Sequence, residues 1–568
     1  MQEYLKWVAS PSLDEKDRQE LTGLTGNEKE IESRFYTNLQ FGTAGLRGIM
    51  AVGLNRMNRY IVKQTTQGIA NLVIKAGGQD RGVAIAYDCR NNSEEFAKDA
   101  ACVLAANGIK VLLFDGMRPT PELSFIIREK KCIAGINITA SHNPKEYNGY
   151  KAYWEDGAQM PPEHADTVED EIRNIDIFTG AKTLDFEDAK NSGLIEIVGE
   201  EIDELFLKRA EGEMIDREVI ASVADKLGVV YTPFHGAGYK LVPEILRRAG
   251  VKNLIPVEEQ MIPDGNFTTV ANPNPESIVG YEYAIKTAKQ NKADFVICTD
   301  PDADRIGIMY REKNGEYTLL GGNKTGAVYL DYIASARQRT GRMPARPYAV
   351  RTVVSSDLID KIAAGYGVET EVTFTGFKFI AERMGEMEPQ GKNCIFAFEE
   401  SFGYMIGNYC RDKDAVTSAM LMTEMAAYHY KNGRTLGDAL NDLYEKHGAH
   451  ADRTVNVALP GIEGEEKIKQ LMNMFRSGAV EFPDALKVVR TTDHSSGEIT
   501  EHGVTVGKSS LSGSDLIVFE FADKSKIMVR PSGTEPKIKF YLFAEDADMI
   551  AAEKKIDFMT DYVENVAK

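Results

Sequence analysis

The sequence predicts an α/β fold of three similar mixed-sheet α/β domains plus a C-terminal α+β domain. The first observation behind this prediction is a strand–helix–strand pattern that occurs three times along the chain. The second is a further buried strand with a polar loop after each repeat. The third is a change to short alternating strands from about residue 452 onward. At 568 residues the chain is several times longer than a typical domain, which agrees with a division into several units.

The three repeats lie at residues 83–113, 229–254 and 348–372. Each begins with a short apolar strand, continues with an amphipathic helix and ends with a second apolar strand. Glycine stands directly before the second strand in each repeat, as Gly108, Gly250 and Gly367. A glycine in this place is typical of a helix that ends in the left-handed conformation. The pattern therefore predicts three β–α–β units, each in its own parallel or mixed sheet flanked by helices.

A polar loop follows a further buried strand downstream of each repeat. The strands at residues 136–138, 295–298 and 394–397 lead into the loops at 139–144, 300–305 and 399–403. Ligands of open α/β sheets bind beyond the carboxyl ends of the strands. The three loops therefore predict one composite site to which three equivalent domains contribute.

The last part of the chain follows a different pattern. Short strands are predicted at residues 455–459, 503–506, 516–521, 527–529 and 538–542, with helices near 465–475 and 549–566. Strands and helices in this mixture predict a fourth domain of the α+β class. The predicted domains are 1–205, 206–320, 321–447 and 448–568.

Composition limits the classes of partner. The chain has 67 Lys and Arg against 86 Asp and Glu, which gives a net charge of −19. The long-range field of such a chain repels polyanions, so we expect no nucleic acid and no membrane among its partners. A local cluster of basic residues can still bind a small phosphorylated substrate.

The cysteines and the termini indicate the compartment. The six cysteines are scattered singly, and no Cys-x-x-Cys pair occurs. The N-terminus lacks the pattern of a secretory signal, and no apolar run approaches the roughly 18 residues that a membrane helix needs. These features favour a reducing cytosol and therefore a cytoplasmic location.

Asp300, Asp302 and Asp304 alternate in the loop after the second repeat. Because neighbouring carboxylates repel one another, a hard divalent cation is their natural ligand. An EF-hand is excluded, since its glycine and glutamate positions hold Arg305 and Arg311. A solvated acidic turn is the alternative, but a guanidinium beside carboxylates suits an anionic ligand that completes a metal shell. Magnesium is favoured, because Mg²⁺ combines a few protein carboxylates with phosphate oxygens.

Ser141 and His142 are neighbours in the loop after the first repeat. A Ser-His pair suggests a hydrolase, but adjacent side chains rarely meet as nucleophile and base, and the Gly-x-Ser-x-Gly motif is absent. Taken alone, Ser141 is more typical of a turn. Its loop, however, is equivalent in position to the aspartate loop. A phosphoserine there would carry about −1.5 to −2 charges and oxygens that can bind a metal.

Two further segments are rich in groups that bind phosphate. One consists of Arg530, Ser532, Gly533, Thr534 and Lys537. Its guanidinium, hydroxyls and ammonium suit a phosphate, although a Pro-Gly turn between strands explains part of the pattern. The other surrounds Arg47 with glycines, and it is not a P-loop because the Gly-Lys-Ser/Thr ending is missing. Glu399 and Ser401 suit the hydroxyls of a sugar, and a surface acidic turn is an equal alternative.

Together, four of these loops resemble the signature loops of the α-D-phosphohexomutase superfamily. They lie at residues 139–144, 300–305, 399–401 and 530–536, in the order of the family and across essentially the whole chain. The resemblance implies three similar α/β domains and a fourth α+β domain around one central cleft, which agrees with the repeats. It also implies phosphoryl transfer between a serine of the enzyme and a sugar phosphate.

The resemblance further implies a role for each loop residue. The catalytic set would be Ser141, Lys151, Arg47, His142 and Arg305, with Ser141 phosphorylated and Lys151 as the general acid or base. One Mg²⁺ ion per active site would be held by Asp300, Asp302, Asp304 and an oxygen on Ser141. The substrate-binding set would be Thr375, Gly376, Glu399, Ser401 and Lys413 at the sugar, with Arg530, Ser532, Gly533 and Thr534 at the phosphate that does not react.

One position departs from the common pattern of the family. Ala44 stands where the common glucose enzymes carry serine, as in a subgroup with bacterial α-phosphoglucomutases, phosphopentomutases and sugar-bisphosphate synthases. The resemblance implies interconversion of glucose 1-phosphate and glucose 6-phosphate, with glucose 1,6-bisphosphate as intermediate and activator. Phosphomannomutase and phosphopentomutase are the alternatives, and a non-catalytic sugar-phosphate sensor is a remote one. The expected partners are small sugar phosphates, and both a monomer and a dimer stay open.

Overall fold

The computed structural model describes residues 1–42, 45–533 and 537–568. Its strands form four sheets of six, five, four and seven strands, in four successive parts of the chain. Three mixed α/β sheets and one antiparallel sheet with helices confirm the predicted fold class. Among the described residues, no helix combines the length and the apolar character needed to span a bilayer.

The first domain opens with three short helices that pack around Trp7 in a cluster of their own. Its elements are α1 (Gln2–Ala9), α2 (Glu15–Thr22), α3 (Glu28–Phe35), β1 (Leu46–Ile49), α4 (Arg59–Lys75), β2 (Val83–Tyr87), α5 (Ser93–Ala106), β3 (Val111–Phe114), α6 (Thr120–Glu129), β4 (Ala134–Ile138), β5 (Tyr147–Trp154), α7 (Pro162–Asn174), α8 (Phe186–Asn191), β6 (Ile195–Val198) and α9 (Glu200–Gly212). The strand order is β1-β5-β4-β2-β3-β6. Strands β4, β2, β3 and β6 are parallel, and β5 runs antiparallel to both of its neighbours.

The second domain repeats this plan on a smaller scale. Its elements are α10 (Arg217–Val223), β7 (Val229–Thr232), α11 (Gly238–Arg248), β8 (Leu254–Pro256), α12 (Glu282–Asn291), β9 (Phe295–Thr299), β10 (Ile306–Arg311) and β11 (Tyr317–Leu319). The strand order is β11-β10-β9-β7-β8, with β9, β7 and β8 parallel. The predicted domain limit between residues 205 and 206 lies within α9. The four domain limits remain predictions.

The third domain contains the last of the three repeats. Its elements are α13 (Gly322–Arg339), β12 (Pro347–Thr352), α14 (Leu358–Gly365), β13 (Glu369–Thr373), α15 (Phe377–Met387), β14 (Asn393–Glu399), β15 (Gly403–Met405), α16 (Ala415–Lys431) and α17 (Leu436–His447). The strand order is β13-β12-β14-β15, with β15 antiparallel to β14. The glycines predicted to end the repeat helices have φ angles of 71°, 98° and 70°, which confirms their left-handed conformation.

The fourth domain is built on an antiparallel sheet. Its elements are β16 (Ala449–Ala458), α18 (Gly461–Ser477), β17 (Val488–Asp493), β18 (Glu498–Glu501), β19 (Val504–Lys508), β20 (Ile517–Phe521), β21 (Lys526–Pro531), β22 (Lys537–Asp546) and α19 (Met549–Ala567). The strand order is β16-β22-β21-β20-β17-β18-β19. Both predicted helices and all five predicted strands are present, and β17 and β18 are additional.

The second and third domains share one hydrophobic core. It contains Ile297 of β9 and Val350 of β12, and α16 of the third domain packs against α10 and α11 of the second. The first and fourth domains have cores of their own. A small separate cluster around Val354, Met528 and Tyr541 joins the third domain to the fourth.

Candidate active site

Three loops meet beyond the carboxyl ends of β4, β9 and β14. Ser141 Oγ of the first loop donates a hydrogen bond to Asp300 Oδ2 of the second, at 2.7 Å. The N–H of Ile306, at the end of the second loop, donates to the carbonyl oxygen of Phe402 in the third, at 3.0 Å. The structure thus brings loops of three domains into contact, although Ser141 and Asp300 are 159 positions apart in the chain.

Ser141 has an unusual backbone conformation and lies below the surface. Its φ angle is 50°, in the left-handed region, which costs a non-glycine residue about 1–3 kcal/mol. Only 1% of the residue is exposed. Its N–H donates to Thr139 Oγ1 at 2.8 Å. The conformation aims the Ser141 hydroxyl at the aspartate loop.

His142 lies directly beside the serine hydroxyl. Its Nδ1 is 3.2 Å from Ser141 Oγ. Burial lowers the pKa of His142 well below its usual range, and the Arg305 and Arg47 guanidinium groups act in the same direction. The imidazole is therefore neutral at neutral pH, so that one of its nitrogens donates a hydrogen bond and the other accepts one.

Asp300, Asp302 and Asp304 form a buried cluster with one carboxylate oxygen of each within 4.8 Å of the others. Burial and the two neighbouring carboxylates raise the pKa of Asp300 well above its usual range. Burial acts the same way on Asp304, but Lys151, Lys413 and Arg305 outweigh it and lower the pKa of Asp304 overall. Three buried carboxylates close together are an environment in which a divalent cation relieves the repulsion.

The two oxygens of each carboxylate have different surroundings. Asp302 Oδ2 accepts hydrogen bonds from Lys151 Nζ at 2.6 Å and Thr120 Oγ1 at 2.9 Å. Asp304 Oδ2 accepts from Lys151 Nζ at 3.0 Å. The Oδ1 atoms of Asp302 and Asp304 are buried and have no hydrogen-bond partner among the described residues. Unpaired buried oxygens of this kind, with no soft ligand beside them, fit a hard cation such as Mg²⁺.

Two lysines reach the aspartate loop from other domains. Lys151 Nζ of β5 is paired with Asp302 and Asp304, and only 2% of the Lys151 side chain is exposed. Burial lowers the pKa of Lys151, but the two carboxylates outweigh it and raise the pKa overall. Lys413 Nζ lies 3.3 Å from Asp304 and 2.8 Å from Asp412. Both ammonium groups are therefore charged, and Lys151 is placed as a proton donor in the state that the structure shows.

Arg47 and Arg305 are close enough to His142, the neighbour of Ser141, to lower its pKa. Arg47 Nη1 donates to Asn143 Oδ1 at 3.2 Å, and Arg305 Nη1 donates to Glu276 Oε1 at 2.7 Å. The Nε atoms of both arginines are buried without a hydrogen-bond partner among the described residues. Guanidinium donors left open in this way suit an anion such as a phosphate.

The third loop is positioned for a polar ligand. Glu399 Oε1 accepts a hydrogen bond from the N–H of Gly376 at 2.7 Å, which joins two of the predicted sugar-binding segments. The Oγ1 atom of Thr375 is buried and has no partner among the described residues. Ser401 lies half-buried in the turn between β14 and β15. Hydroxyl and carboxylate groups of this kind can bind the hydroxyls of a sugar.

The fourth domain contributes the end of the β21–β22 pair. Arg530 stands opposite Lys539 in this pair, and the N–H of Ser532 donates to the carbonyl oxygen of Lys537 at 2.8 Å. Gly533 is the last described residue of the turn, and Thr534 lies outside the described residues. Arg530 and Glu400 are both close enough to Tyr541 to affect its pKa, which places this turn near the third loop.

Several residues of the site were missed by the sequence reasoning. Lys539 is close to Glu276, Glu400 and Arg305, although burial lowers the pKa of Lys539. The signal was present, because Lys537 and Lys539 alternate with the buried Ile538 and Phe540 along β22. Asp88, Arg90 and Thr120 were missed as well. Asp88 and Arg90 directly follow a buried strand, as the predicted site loops do, whereas the contact of Thr120 with Asp302 has no local signal.

Comparison with known proteins identifies a family. Three models of the phosphoglucomutase/phosphomannomutase family match this chain, as alpha/beta/alpha domain I at residues 38–177, domain II at 208–315 and domain III at 321–447. A phosphoglucomutase of Staphylococcus aureus strain MRSA252 is 36% identical over 535 residues, which is 94% of this chain and 94% of that protein. The phosphoglucomutase of strain N315 is 35% identical over the same shares.

Solved structures show the same fold. The exocytosis-sensitive phosphoprotein parafusin of Paramecium, a phosphoglucomutase in its open form, aligns with a TM-score of 0.67 at 20% identity over 94% of this chain and 95% of that one. A phosphoglucomutase/phosphomannomutase family protein of Burkholderia thailandensis aligns with a TM-score of 0.65 at 18% identity, over 93% and 97%.

Proposed function

The chain belongs to the phosphoglucomutase/phosphomannomutase family, and from this premise we propose that it interconverts glucose 1-phosphate and glucose 6-phosphate. The observation that supports this most is the contact of Ser141 Oγ with Asp300 Oδ2 at 2.7 Å. It places the Ser141 hydroxyl beside a buried carboxylate cluster, with Lys151 and two arginines around it. A phosphoryl group on Ser141 would therefore lie between cations and a metal-binding loop, as phosphoryl transfer requires.

The residues that would hold Mg²⁺ are Asp300, Asp302 and Asp304, together with an oxygen of the phosphorylated Ser141. The unpaired Oδ1 atoms of Asp302 and Asp304 support this assignment. When bound, the ion supplies positive charge that stabilises the phosphoryl group during transfer. Arg305 and Arg47 add positive charge from the protein through the Nε donors that have no partner among the described residues.

Proton transfer is assigned to Lys151 and His142. The raised pKa of Lys151 keeps its amine protonated, so that a proton is present to be donated. Lys151 is therefore the general acid that gives its proton to the sugar oxygen when a phosphoryl group returns to Ser141. The Ser141 hydroxyl, which donates to Asp300 Oδ2 in the structure, rotates toward the neutral His142, whose Nδ1 is 3.2 Å away and accepts the serine proton in the same step. In the reverse direction the sugar hydroxyl attacks the phosphoserine, its proton returns to Lys151, and His142 reprotonates the serine oxygen.

The sugar must be bound in two orientations. Phosphoserine 141 first phosphorylates O6 of glucose 1-phosphate, and the resulting glucose 1,6-bisphosphate turns so that its 1-phosphate faces Ser141. Thr375, Gly376, Glu399 and Ser401 contact the ring hydroxyls in both orientations, with Lys413 beside them. Arg530, Ser532, Gly533 and Thr534 hold the phosphate that does not react, and Lys539 on the neighbouring strand adds a further cation near it.

The proposed ligands are thus small sugar phosphates, and we place the enzyme in the cytoplasm because all six cysteines are free thiols. An isomerisation assay across glucose, mannose, glucosamine and ribose 1-phosphates tests the proposal. We expect glucose 1-phosphate to be turned over fastest, with catalytic glucose 1,6-bisphosphate required by dephosphorylated enzyme. Faster turnover of mannose or ribose 1-phosphate would assign the chain to the other activity, and no turnover of any of them would refute a mutase.

A further inference from the structure

Arg90 places its guanidinium against the backbone of the loop that carries Ser141. Its Nη2 donates to the carbonyl oxygens of Ser141 at 2.6 Å and Asn143 at 2.5 Å. Its Nη1 donates to the carbonyl oxygens of Pro144 at 2.8 Å and Tyr147 at 3.0 Å. Four carbonyl groups of one loop therefore converge on a single planar cation, which is a geometry that only an arginine can satisfy.

Asp88 connects this cation to the other side of Ser141. Asp88 Oδ2 lies 3.2 Å from Arg90 Nε and accepts a hydrogen bond from Thr139 Oγ1 at 2.6 Å. Thr139 Oγ1 accepts in turn from the N–H of Ser141 at 2.8 Å. Ser141 is thus bound at both its N–H and its carbonyl oxygen. The two bonds fix the peptide planes on either side of its left-handed backbone.

The second domain covers this arrangement. The ring of Phe267 lies over the Arg90 guanidinium at 5.1 Å, and Asn91 Nδ2 donates to Asn266 Oδ1 at 3.0 Å. The side chains of Arg90 and Asp88 are 0% exposed. Hydrogen bonds away from water are stronger and more rigid than exposed ones. Phe267 and Asn266 of the second domain therefore help to cover Arg90, Asp88 and Thr139, which we call the serine clamp.

We propose that Arg90 is a positioning residue for phosphoryl transfer at Ser141, an inference that rests on the proposed function. Arg90 donates to the carbonyl oxygens of the loop and makes no contact with Ser141 Oγ, so it acts through the backbone. Its bonds to Ser141 and Asn143 also place Asn143, whose Oδ1 accepts from Arg47. Loss of the clamp lets the Ser141 backbone leave the left-handed region, and the hydroxyl then turns away from Asp300.

The test compares Arg90→Ala and Arg90→Lys with Arg56→Ala as the control. Arg56 is a matched residue, because it is buried in the same domain and donates to the carbonyl oxygens of Ser33 at 3.2 Å and Asn55 at 2.8 Å. Transfer of a phosphoryl group from glucose 1,6-bisphosphate to dephosphorylated full-length enzyme is followed by intact mass in single turnovers. The kcat and KM for glucose 1-phosphate and the Tm of each variant are measured alongside.

We expect Arg90→Ala to slow the transfer to Ser141 by about 100-fold, because a misplaced reacting atom costs about this much. The KM should change by less than about threefold, since the sugar and distal phosphate groups are untouched. Millimolar guanidinium chloride should raise the transfer rate of Arg90→Ala at least tenfold. The transfer rate of Arg90→Lys should lie between those of wild type and Arg90→Ala. Arg56→Ala should transfer at the wild-type rate even where its Tm falls.

The outcomes separate this inference from the proposed function. If wild-type enzyme accepts no phosphoryl group, the proposed function fails. If wild-type enzyme accepts it and Arg90→Ala does so at the same rate, the positioning role is wrong. A loss that guanidinium does not restore and that Arg56→Ala reproduces would make Arg90 purely structural, which also overturns the inference. Should Arg90→Ala fail to fold, Arg90→Lys and Phe267→Leu decide, since the inference requires slower transfer in both at a retained Tm.

Discussion

At the scale of single residues, Asp302 shows how one carboxylate can serve two purposes. Its Oδ2 is fixed by Lys151 and Thr120, and its Oδ1 is left without a partner among the described residues. The fixed oxygen determines where the open oxygen points. Because a cation site needs ligand atoms in place before the ion arrives, bonds to the far oxygen matter as much as the carboxylate itself.

Removal of metal should stop turnover, because the open oxygens of Asp302 and Asp304 then repel one another and nothing offsets the charge of the phosphoryl group. We expect a loss of at least about 100-fold in excess chelator. Mg²⁺ should restore activity better than Ca²⁺ or Zn²⁺, since the ligands are all oxygens. The initial rate in a coupled assay and the Tm are the measurements. Full activity in excess chelator at an unchanged Tm would show that the aspartate loop has only a structural role.

Ser141→Ala should abolish turnover and leave binding of glucose 1-phosphate within about threefold of wild type. Covalent transfer needs the hydroxyl, whereas ground-state affinity comes from the sugar and phosphate loops. Steady-state kinetics and calorimetric titration measure the two effects separately. Ser222→Ala, on α10, changes a side chain that, among the described residues, donates only to the carbonyl oxygen of Val219, and it should keep full activity as the control. More than a trace of mutase activity in Ser141→Ala would contradict the assignment of the phosphorylated residue.

Glu400 should make the stability of the protein dependent on pH. Burial, together with the charge of Glu399, raises the pKa of Glu400 from its ordinary value of 4.5 to about 7. The folded state therefore binds this proton more tightly than the unfolded state. The stabilisation is complete below about pH 4.5 and is lost as the pH rises through 7.

Glu400→Gln removes this titration, so relative to wild type its Tm should rise by about 1–3 °C between pH 5 and pH 8. Scanning calorimetry at four pH values in this range measures the difference. Glu218→Gln, at an exposed position on α10, should show the same pH dependence as wild type. Parallel curves for Glu400→Gln and wild type would mean that Glu400 titrates alike in both states.

At the scale of elements, local patterns predicted the strands, the helix ends and three site loops. Residues 83–87 are wholly buried in β2, and Gly108 ends α5 with a φ angle of 71°. Both features depend only on neighbours in the sequence. The aspartate loop was equally visible, because three carboxylates at alternate positions repel one another wherever the chain folds.

The sequence predicted that the three loops meet, but it did not predict the individual side-chain contacts between distant segments. Thr120 donates a hydrogen bond to Asp302, 182 positions away in the chain, and no sequence pattern near either residue predicts this bond. The three N-terminal helices pack around Trp7, although their short apolar stretches gave no clear signal. Strands β17 and β18 were missed because Thr and charged residues predominate in them, so their half-exposed faces lack a clean alternation.

The β21–β22 pair gives a prediction at this scale. Arg530→Ala should lower kcat/KM for glucose 1-phosphate by about 10–100-fold, because charge-assisted hydrogen bonds to the distal phosphate are lost. Steady-state kinetics measures the change. Arg490→Ala, on β17 of the same sheet and paired with Glu501, is the matched control and should leave the kinetics unchanged. Wild-type kinetics in Arg530→Ala would mean that this turn does not contact the substrate.

At the scale of the whole molecule, the hydrophobic cores show which domains are joined and which are separate. The second and third domains share one core, whereas the first and fourth have separate ones. The fourth domain contacts the third through a small apolar cluster, through the Asn323–Asp452 hydrogen bond at 2.9 Å and through ion pairs such as Lys361–Glu545 at 3.0 Å. We expect the fourth domain to move against a body formed by the second and third, since it does not share their hydrophobic core.

A mixed-label experiment tests the path of the phosphate through all four domains. Glucose 1-phosphate labelled in the sugar is mixed with glucose 1-phosphate labelled in the phosphate, and the products are analysed by mass. If Ser141 passes its phosphoryl group to each incoming sugar, labelled phosphate should appear on labelled sugar in proportion to their mixing ratio. The mechanism would be refuted if each product retained its own phosphate and Ser141→Ala were active.

The burial of Ser141 also affects the expected lifetime of a phosphoryl group on this residue. With 1% of the residue exposed, bulk water and other proteins have little access to a phosphoryl group at this position. If Ser141 is the phosphorylated residue, as we propose, we expect hydrolysis to be slow compared with exchange between serine and sugar, so that a phosphorylated enzyme stays phosphorylated through long gaps in substrate supply. Under the proposed function, the number of active molecules in a population should then depend on earlier contact with glucose 1,6-bisphosphate, and a brief pulse of that compound should have a lasting effect.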